Sequence, residues 1–240
     1  MRSLATTSAS VDRQSHSFWI TGLGIFLSAA LPLLLVMSNA RLVMSPLFLQ
    51  LEYTRPGFPE DFYGLTQAER LRYAPFAVNY LLNGEDIRYL GDLHFSDGTA
   101  LFNARELKHM RDVKTLTQIA YVSTVALGAL ALTCAYLLRR AGRMRQALFR
   151  GGLLTIGLIA AIILAAVLNW DFFFTGFHQL FFESDTWYFA YSDTLIRLFP
   201  EQFWFDAALV IGVFTTMEAL FVIIITWFWR RKTFDSTLPE

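Results

Sequence analysis

Hydrophobic and polar positions segregate along the chain into long alternating blocks. Four apolar blocks carry little charge: Phe18 to Ser38, Leu116 to Leu138, Leu153 to Asn169 and Trp204 to Trp229. A helix of roughly 20 residues crosses a hydrocarbon core about 30 Å thick, so the pattern predicts four transmembrane helices. Between the first two blocks, Pro46, Pro56, Gly57 and Pro59 predict an irregular opening. Thr66 followed by Glu69 has capping-box spacing and starts a helix with Leu71, Phe76, Val78, Leu81 and Leu82 on its apolar face, stopped at Asn83-Gly84. Tyr89 to Ala100 reads as a short hairpin about Asp97-Gly98. Asn103 and Glu106 form a second capping box, and nothing breaks the helix they start before Leu138. The predicted fold is an all-α membrane protein. A mostly helical domain occupies 39–115, and an aromatic-rich outer segment occupies 170–203.

Composition agrees with a membrane setting: 55% of the 240 residues are hydrophobic and 17% are charged. A formal net charge of zero, without a basic stripe, argues against a nucleic-acid partner. Cys134 is the single cysteine and sits inside an apolar block, so it reads as packing. The segment Arg139 to Arg150 holds five arginines and no acid, Arg230, Arg231 and Lys232 follow the last block, and Arg2 and Arg13 precede the first. Positive charge marks cytoplasmic flanks, so the tails 1–17 and 230–240 and the loop 139–152 are expected in the cytoplasm. Residues 39–115 and 170–203 then face outward together. Pro32 is tolerable inside a membrane helix. The first block, ending in Ser38-Asn39-Ala40, is long for a cleaved signal and reads as a retained anchor.

The chemistry concentrates in two places. From Asp171 to Trp204 the chain holds His178, one arginine, many aromatics and the acids Asp171, Glu183, Asp185, Asp193 and Glu201. That mixture is too polar to span a bilayer and suits the lipid–water boundary, where amphipathic rings settle. The second place is Ala104 to Lys114, where Glu106, His109 and Asp112 lie three apart on one helix. A histidine among Phe174, Phe177, Phe181 and Phe182 stays neutral near pH 7, the state a general base needs. The blander alternatives are a packed core histidine at 178 and a headgroup-facing cluster of Arg105, Lys108, Arg111 and Lys114 around a packing His109. His94 sits by the turn and reads as a loop residue. Glu218, deep in the last block, is expected to tie helices together, since a mid-membrane acid is either functional or paired.

Two motifs carry a resemblance. Arg105-Glu106-x-x-His109-Met110-x-Asp112-Val113-Lys114 is the first. The second is Phe177-His178-Gln179-Leu180-Phe181-Phe182, with Trp187 and Asp193-x-Leu195-Ile196-x-x-x-Pro200 downstream. Together they resemble a bacterial family of four-helix membrane proteins that includes the lipoprotein intramolecular transacylases (Lit), and the likeness runs over essentially the whole chain. It implies transfer of the sn-2 acyl chain of a diacylglyceryl-cysteine lipoprotein to the α-amine of its own N-terminal cysteine, giving a lyso-form lipoprotein. It also implies His109 and His178 as the catalytic pair, with Arg105, Glu106, Asp112, Lys114, Trp187 and Asp193 binding or orienting. The family pattern places an acid and a proline soon after the tryptophan, whereas here Tyr188, Phe189, Ala190 and Tyr191 follow Trp187.

Such a transfer needs a base for the ammonium, a donor for the tetrahedral oxyanion and an acid for the leaving alkoxide. Two histidines supply the base and the acid, and Arg105 or Lys114 could serve the oxyanion or nearby lipid phosphates. No serine sits in a G-x-S-x-G elbow, so no covalent intermediate is expected, nor a cofactor; the spacings of His94, His109 and His178 match no metal motif. The expected partners are a diacylated lipoprotein and membrane lipids. A membrane acyl hydrolase using the same histidines, or a non-catalytic lipoprotein-binding protein, are the other readings. Four blocks without an inverted repeat fit a transporter poorly.

Overall fold

The computed structural model describes residues 3–182 and 187–235, with side chains for 18–182 and 187–229. Among them every regular element is a helix: α1 (Ser3–Val43), α2 (Pro46–Thr54), α3 (Gln67–Leu82), α4 (Arg88–Gly91), α5 (Ala104–Arg140), α6 (Met144–Leu168), α7 (Trp170–Phe181), α8 (Thr194–Leu198) and α9 (Glu201–Asp235). Four stretches are long and apolar enough to cross a membrane: Phe18–Val43, Ala104–Arg140, Met144–Leu168 and Glu201–Trp229. The chain is a multi-pass, all-α membrane protein.

The helix starts follow local chemistry. The Thr66 side chain accepts the Glu69 N–H while the Glu69 carboxylate accepts the Thr66 N–H, closing the capping box of α3. At α5 the Asn103 Oδ1 accepts the Arg105 and Glu106 N–H groups, and Glu106 Oε2 accepts the Asn103 N–H at 2.7 Å. Two expectations change. Pro46 does not disrupt the opening of the outer segment but starts α2 behind a Ser45 cap, because the first helical position needs no N–H. The expected hairpin reduces to a single His94–Ala100 bridge, with Gly98 at φ 84° making the turn and Arg88–Gly91 helical. Helix α1, Ser3–Val43, contains the whole of the first apolar block.

The chain divides into two compact units: one of residues 1–37, 124–161 and 213–240, the other of 38–123 and 162–212. In the first, Leu27, Ala30, Ala131, Leu138 and Ala147 are buried together. Small residues let its helices approach closely. A Cβ added at Gly151 would lie 2.9 Å from Leu31 Cδ2, and one at Gly152 would lie 2.7 Å from Ile223 Cγ1. Ser28 Oγ donates to the Ala147 carbonyl at 2.9 Å. Glu218 is half-buried on α9 and has an interaction partner.

The second unit has the larger core. Leu49 and Tyr53 of α2, Tyr73, Ala77 and Tyr80 of α3, Leu90, Phe102, Met110 of α5, Leu198 and Phe203 pack together. The buried hydroxyl of Tyr53 and the guanidinium of Arg70 in this core are paired. The Tyr53 hydroxyl donates to the Leu198 carbonyl at 2.9 Å, and Arg70 donates to the carbonyls of Arg197 and Pro59. These bonds lock α2 and α3 to α8, the short helix that follows the aromatic segment.

Candidate active site

His109 and His178, from separate motifs, meet within the second unit. Their rings lie 6.4 Å apart between centroids and are inclined by 23°, a stacked arrangement. His109 comes from the second turn of α5 and is 9% exposed. His178 comes from α7, a twelve-residue helix capped by the Asn169 side chain.

Aromatic rings enclose both imidazoles. Phe182 lies 5.1 Å from His109 and 5.7 Å from His178, and Phe189 meets His109 edge-on at 5.2 Å. Phe174 lies 4.2 Å from His178, and Trp187 lies 4.9 Å from it on a tilt of 31°. Burial disfavours the imidazolium and holds His178 below its usual range, although a backbone hydrogen bond partly opposes this. That bond joins Nδ1 of His178 to the Phe174 carbonyl at 2.8 Å. A carbonyl can only accept, so Nδ1 carries the proton and Nε2 is left with the free lone pair.

Among the described residues, Glu106 and Asp193 are committed to backbone and cation, not to the imidazoles. Glu106, 1% exposed, accepts the Asn103 N–H through one oxygen and the Leu195 N–H through the other, each at 2.7 Å. Asp193 accepts from Asn103 Nδ2 at 3.0 Å, Arg105 Nη2 at 2.7 Å and the Ala190 N–H at 2.8 Å. Arg105 also lies over the Phe189 ring at 5.7 Å. The start of α5 is thereby clasped to the start of α8, and the segment bearing Trp187 and Phe189 is drawn over His109. Lys114 donates to the Glu85 carbonyl at 2.6 Å and to Asn83, and lies 4.0 Å from the Tyr80 ring centroid. Asp112 is partly buried on α5 and takes part in none of these contacts. Glu183 and Asp185 fall outside the described residues. His94 is exposed and bonded to the Asp92 carbonyl, in the turn expected for it.

Phe182 and Phe174 lie beside His178 as expected. Two contributions escape a reading by residue type: Phe189 is one more ring in an aromatic segment, and the Phe174 group that bonds the imidazole is its carbonyl. Only helical spacing signals it, since residue 174 stands four before His178. A cavity of about 500 Å³ lies elsewhere in this unit, among Tyr53, Arg55, Phe58, Asp61 and Arg70, and takes in neither histidine.

Two unpartnered polar atoms remain at the site. His109 Nδ1 and Trp187 Nε1 are sealed from solvent and have no hydrogen-bond partner among the described residues, as does Trp170 Nε1.

A membrane protein with two imidazoles stacked inside an aromatic enclosure defines a class, and comparison with known proteins narrows it. The sequence profile of "Lipoprotein intramolecular transacylase Lit" matches residues 25–204. An uncharacterized protein of Aquifex aeolicus (strain VF5) is 29% identical over 185 residues, which are 77% of this chain and 84% of that protein. The structure of the membrane integral transacylase Lit from Bacillus cereus superposes with a TM-score of 0.75 at 22% identity, covering 90% of this chain and 98% of the other. A variant of that protein with one histidine changed to arginine gives 0.72 at 20% identity, covering 96% and 100%; both likenesses bear on the fold. The chain belongs to the lipoprotein intramolecular transacylase family and is accordingly an acyltransferase of the membrane.

Proposed function

We propose that this protein moves the sn-2 acyl chain of a diacylglyceryl-cysteine lipoprotein to the α-amine of the same cysteine, leaving a lyso-form lipoprotein, with His178 and His109 handling the protons. The observation that carries the reading is the meeting of the two imidazoles in one aromatic enclosure, with the proton of His178 held at Nδ1.

The proton inventory suits two initially neutral histidines. The substrate arrives largely as an ammonium with three N–H protons, since the reference pKa of an α-amine is about 7.7–8.0. His109 takes the first, freeing the lone pair. The amine attacks the ester carbon, and its π pair moves to oxygen. His178 Nε2 takes the second proton from the attacking nitrogen while His109 returns its own to the glycerol oxygen as the C–O bond breaks. One proton stays on the amide, one ends on the glycerol hydroxyl and one leaves His178 for solvent. No second imidazolium need form before the first is discharged. Amine and ester belong to one anchored molecule, which supplies proximity without a covalent enzyme intermediate. Rings packed about both imidazoles exclude water, favouring the amine over hydrolysis.

Glu106 and Asp193 position the segment that covers the pair, and Arg105 and Lys114 face the headgroup level beside it. With the arginine-rich flanks in the cytoplasm, residues 39–115 and 170–203 and the site they form face outward. The test incubates the purified protein with a diacylated lipopeptide and reads the product by mass spectrometry. The expected product has unchanged mass with an acyl chain on the cysteine amine, and is lost in His109→Gln and His178→Gln. Loss of an acyl chain as free fatty acid, or substrate bound and unchanged, would overturn the reading.

A further inference from the structure

We infer that the indole N–H of Trp187 is the hydrogen-bond donor for the tetrahedral oxyanion, which makes Trp187 a third catalytic residue beside the two histidines. The inference rests on the acyl-transfer reading above. Attack on the ester carbon converts its carbonyl oxygen to an alkoxide-like anion, and an enzyme working in a dry site must aim a donor there. Arg105 is held by Asp193 and Lys114 by Glu85 and Asn83. His178 Nδ1–H is spent on the Phe174 carbonyl.

Of the two unpartnered nitrogens at the site, His109 Nδ1 belongs to the imidazole that takes and returns a substrate proton, and the Trp187 N–H is the donor that no proton transfer uses. The side chain is 7% exposed, its ring packs against the His178 ring at 4.9 Å, and Nε1 has no acceptor among the described residues. A buried donor without a partner is destabilising, and such a group in a native structure calls for an explanation. An acceptor delivered by the substrate supplies one. Trp170 provides the contrast: its Nε1 is equally unpartnered, but its ring contacts are with Phe173, Phe174 and Phe205 and with no histidine. Tyr188 stacks on Trp187 at 4.2 Å and holds the indole in place. In the balanced step, the π pair of the C=O bond moves to oxygen as the N–C bond forms. It rests there against the Trp187 N–H, and it returns when the C–O bond to glycerol breaks.

The test uses the full chain in detergent or nanodiscs with a diacyl lipopeptide. Trp187→Phe removes the donor, and benzothienylalanine at 187 removes the N–H while keeping a bicyclic ring of nearly the same shape. Both should lower kcat on the order of a hundredfold or more, with KM changed by less than about threefold, while Trp170→Phe stays near wild type. With ¹⁵N-indole labelling, the resonance missing in Trp187→Phe should shift when lipopeptide is added. Wild-type kcat in the benzothienylalanine protein, or an unmoved indole resonance, would overturn the assignment. Should the product prove to be free fatty acid, the transfer reading fails, yet the same kcat comparison still decides the donor, because hydrolysis passes through the same oxyanion. If no turnover is found, the indole resonance decides.

Discussion

Glu106 lies three residues before His109 on α5, which would suit an acid that orients the imidazole, but its contacts assign it a different task. Its two oxygens accept the N–H groups of Asn103 and Leu195, both at 2.7 Å, and it is almost fully buried. Glu106→Gln keeps shape and volume but offers one acceptor where two donors converge. One charge-assisted bond becomes neutral, and one buried N–H faces the new NH2 group. A hydrogen bond to a charged group contributes about 1.5–3 kcal/mol against about 0.5–1.5 for a neutral one, and an orphaned buried donor costs about 1–3. The expected loss of stability is therefore about 2–4 kcal/mol. At about 2–4 °C per kcal/mol for a chain of this size, the unfolding midpoint should drop by roughly 4–16 °C. Thermal unfolding of wild type and variant, followed side by side in one detergent, is the assay. Activity should fall as well, because the released α8 no longer holds Phe189 against His109 and Trp187 against His178. A variant with wild-type stability but greatly reduced kcat would refute the clasp and restore Glu106 as a partner of the imidazole.

Two further predictions concern protons. Burial lowers the pKa of His178 below the ordinary 6.5, so this base stays neutral as pH falls through 6.5 and is lost only below it. The kcat profile should therefore be flat through pH 6.5, with its acid limb beneath. The stability linked to this group should follow the same sign, declining as pH drops from 6.5 through the folded value; an acid limb at or above 6.5 would contradict the assignment. At pH 7 in weak buffer, turnover should release roughly 0.8–0.9 proton, because an α-amine of pKa about 7.7–8.0 is mostly ammonium and the amide is not. Near pH 9 the release should fall to about a tenth or less. A pH-stat trace that stays near one proton at pH 9 would indicate ester hydrolysis instead, since the fatty acid ionises at both values.

Much of the architecture could be read from local chemistry. The capping boxes at Thr66 and Asn103 depend on residues three apart, and each helix starts where they place it. The apolar blocks depend only on length and hydropathy. Pairings between distant segments were less accessible. Nothing in the string shows that Glu106 accepts the Leu195 N–H or that Asp193 gathers Arg105, Asn103 and Ala190, so these acids looked equally suited to orienting a histidine. Helix α8 is five residues long and too short for periodicity to reveal. The hairpin expected at Tyr89–Ala100 kept its turn but lacked a partner strand to extend its ladder. The proximity of His109 and His178 was legible from their shared setting; the tautomer of His178 needed the coordinates, because it turns on a backbone carbonyl.

That carbonyl ties the acid–base state of His178 to the folding of its own helix. Helix α7 is twelve residues long and, in the protein alone, has no buried residue; Phe172, Phe177, Leu180 and Phe181 are exposed. An isolated helix so short is marginal in water, and the covering that such a face calls for is lipid. If its last turn frays, the Phe174 carbonyl leaves Nδ1, and the imidazole is free to exchange its proton between nitrogens. A bilayer covering this face would act as a structural cofactor: it would keep α7 wound, and the wound helix keeps the proton of His178 on Nδ1 and its lone pair on Nε2.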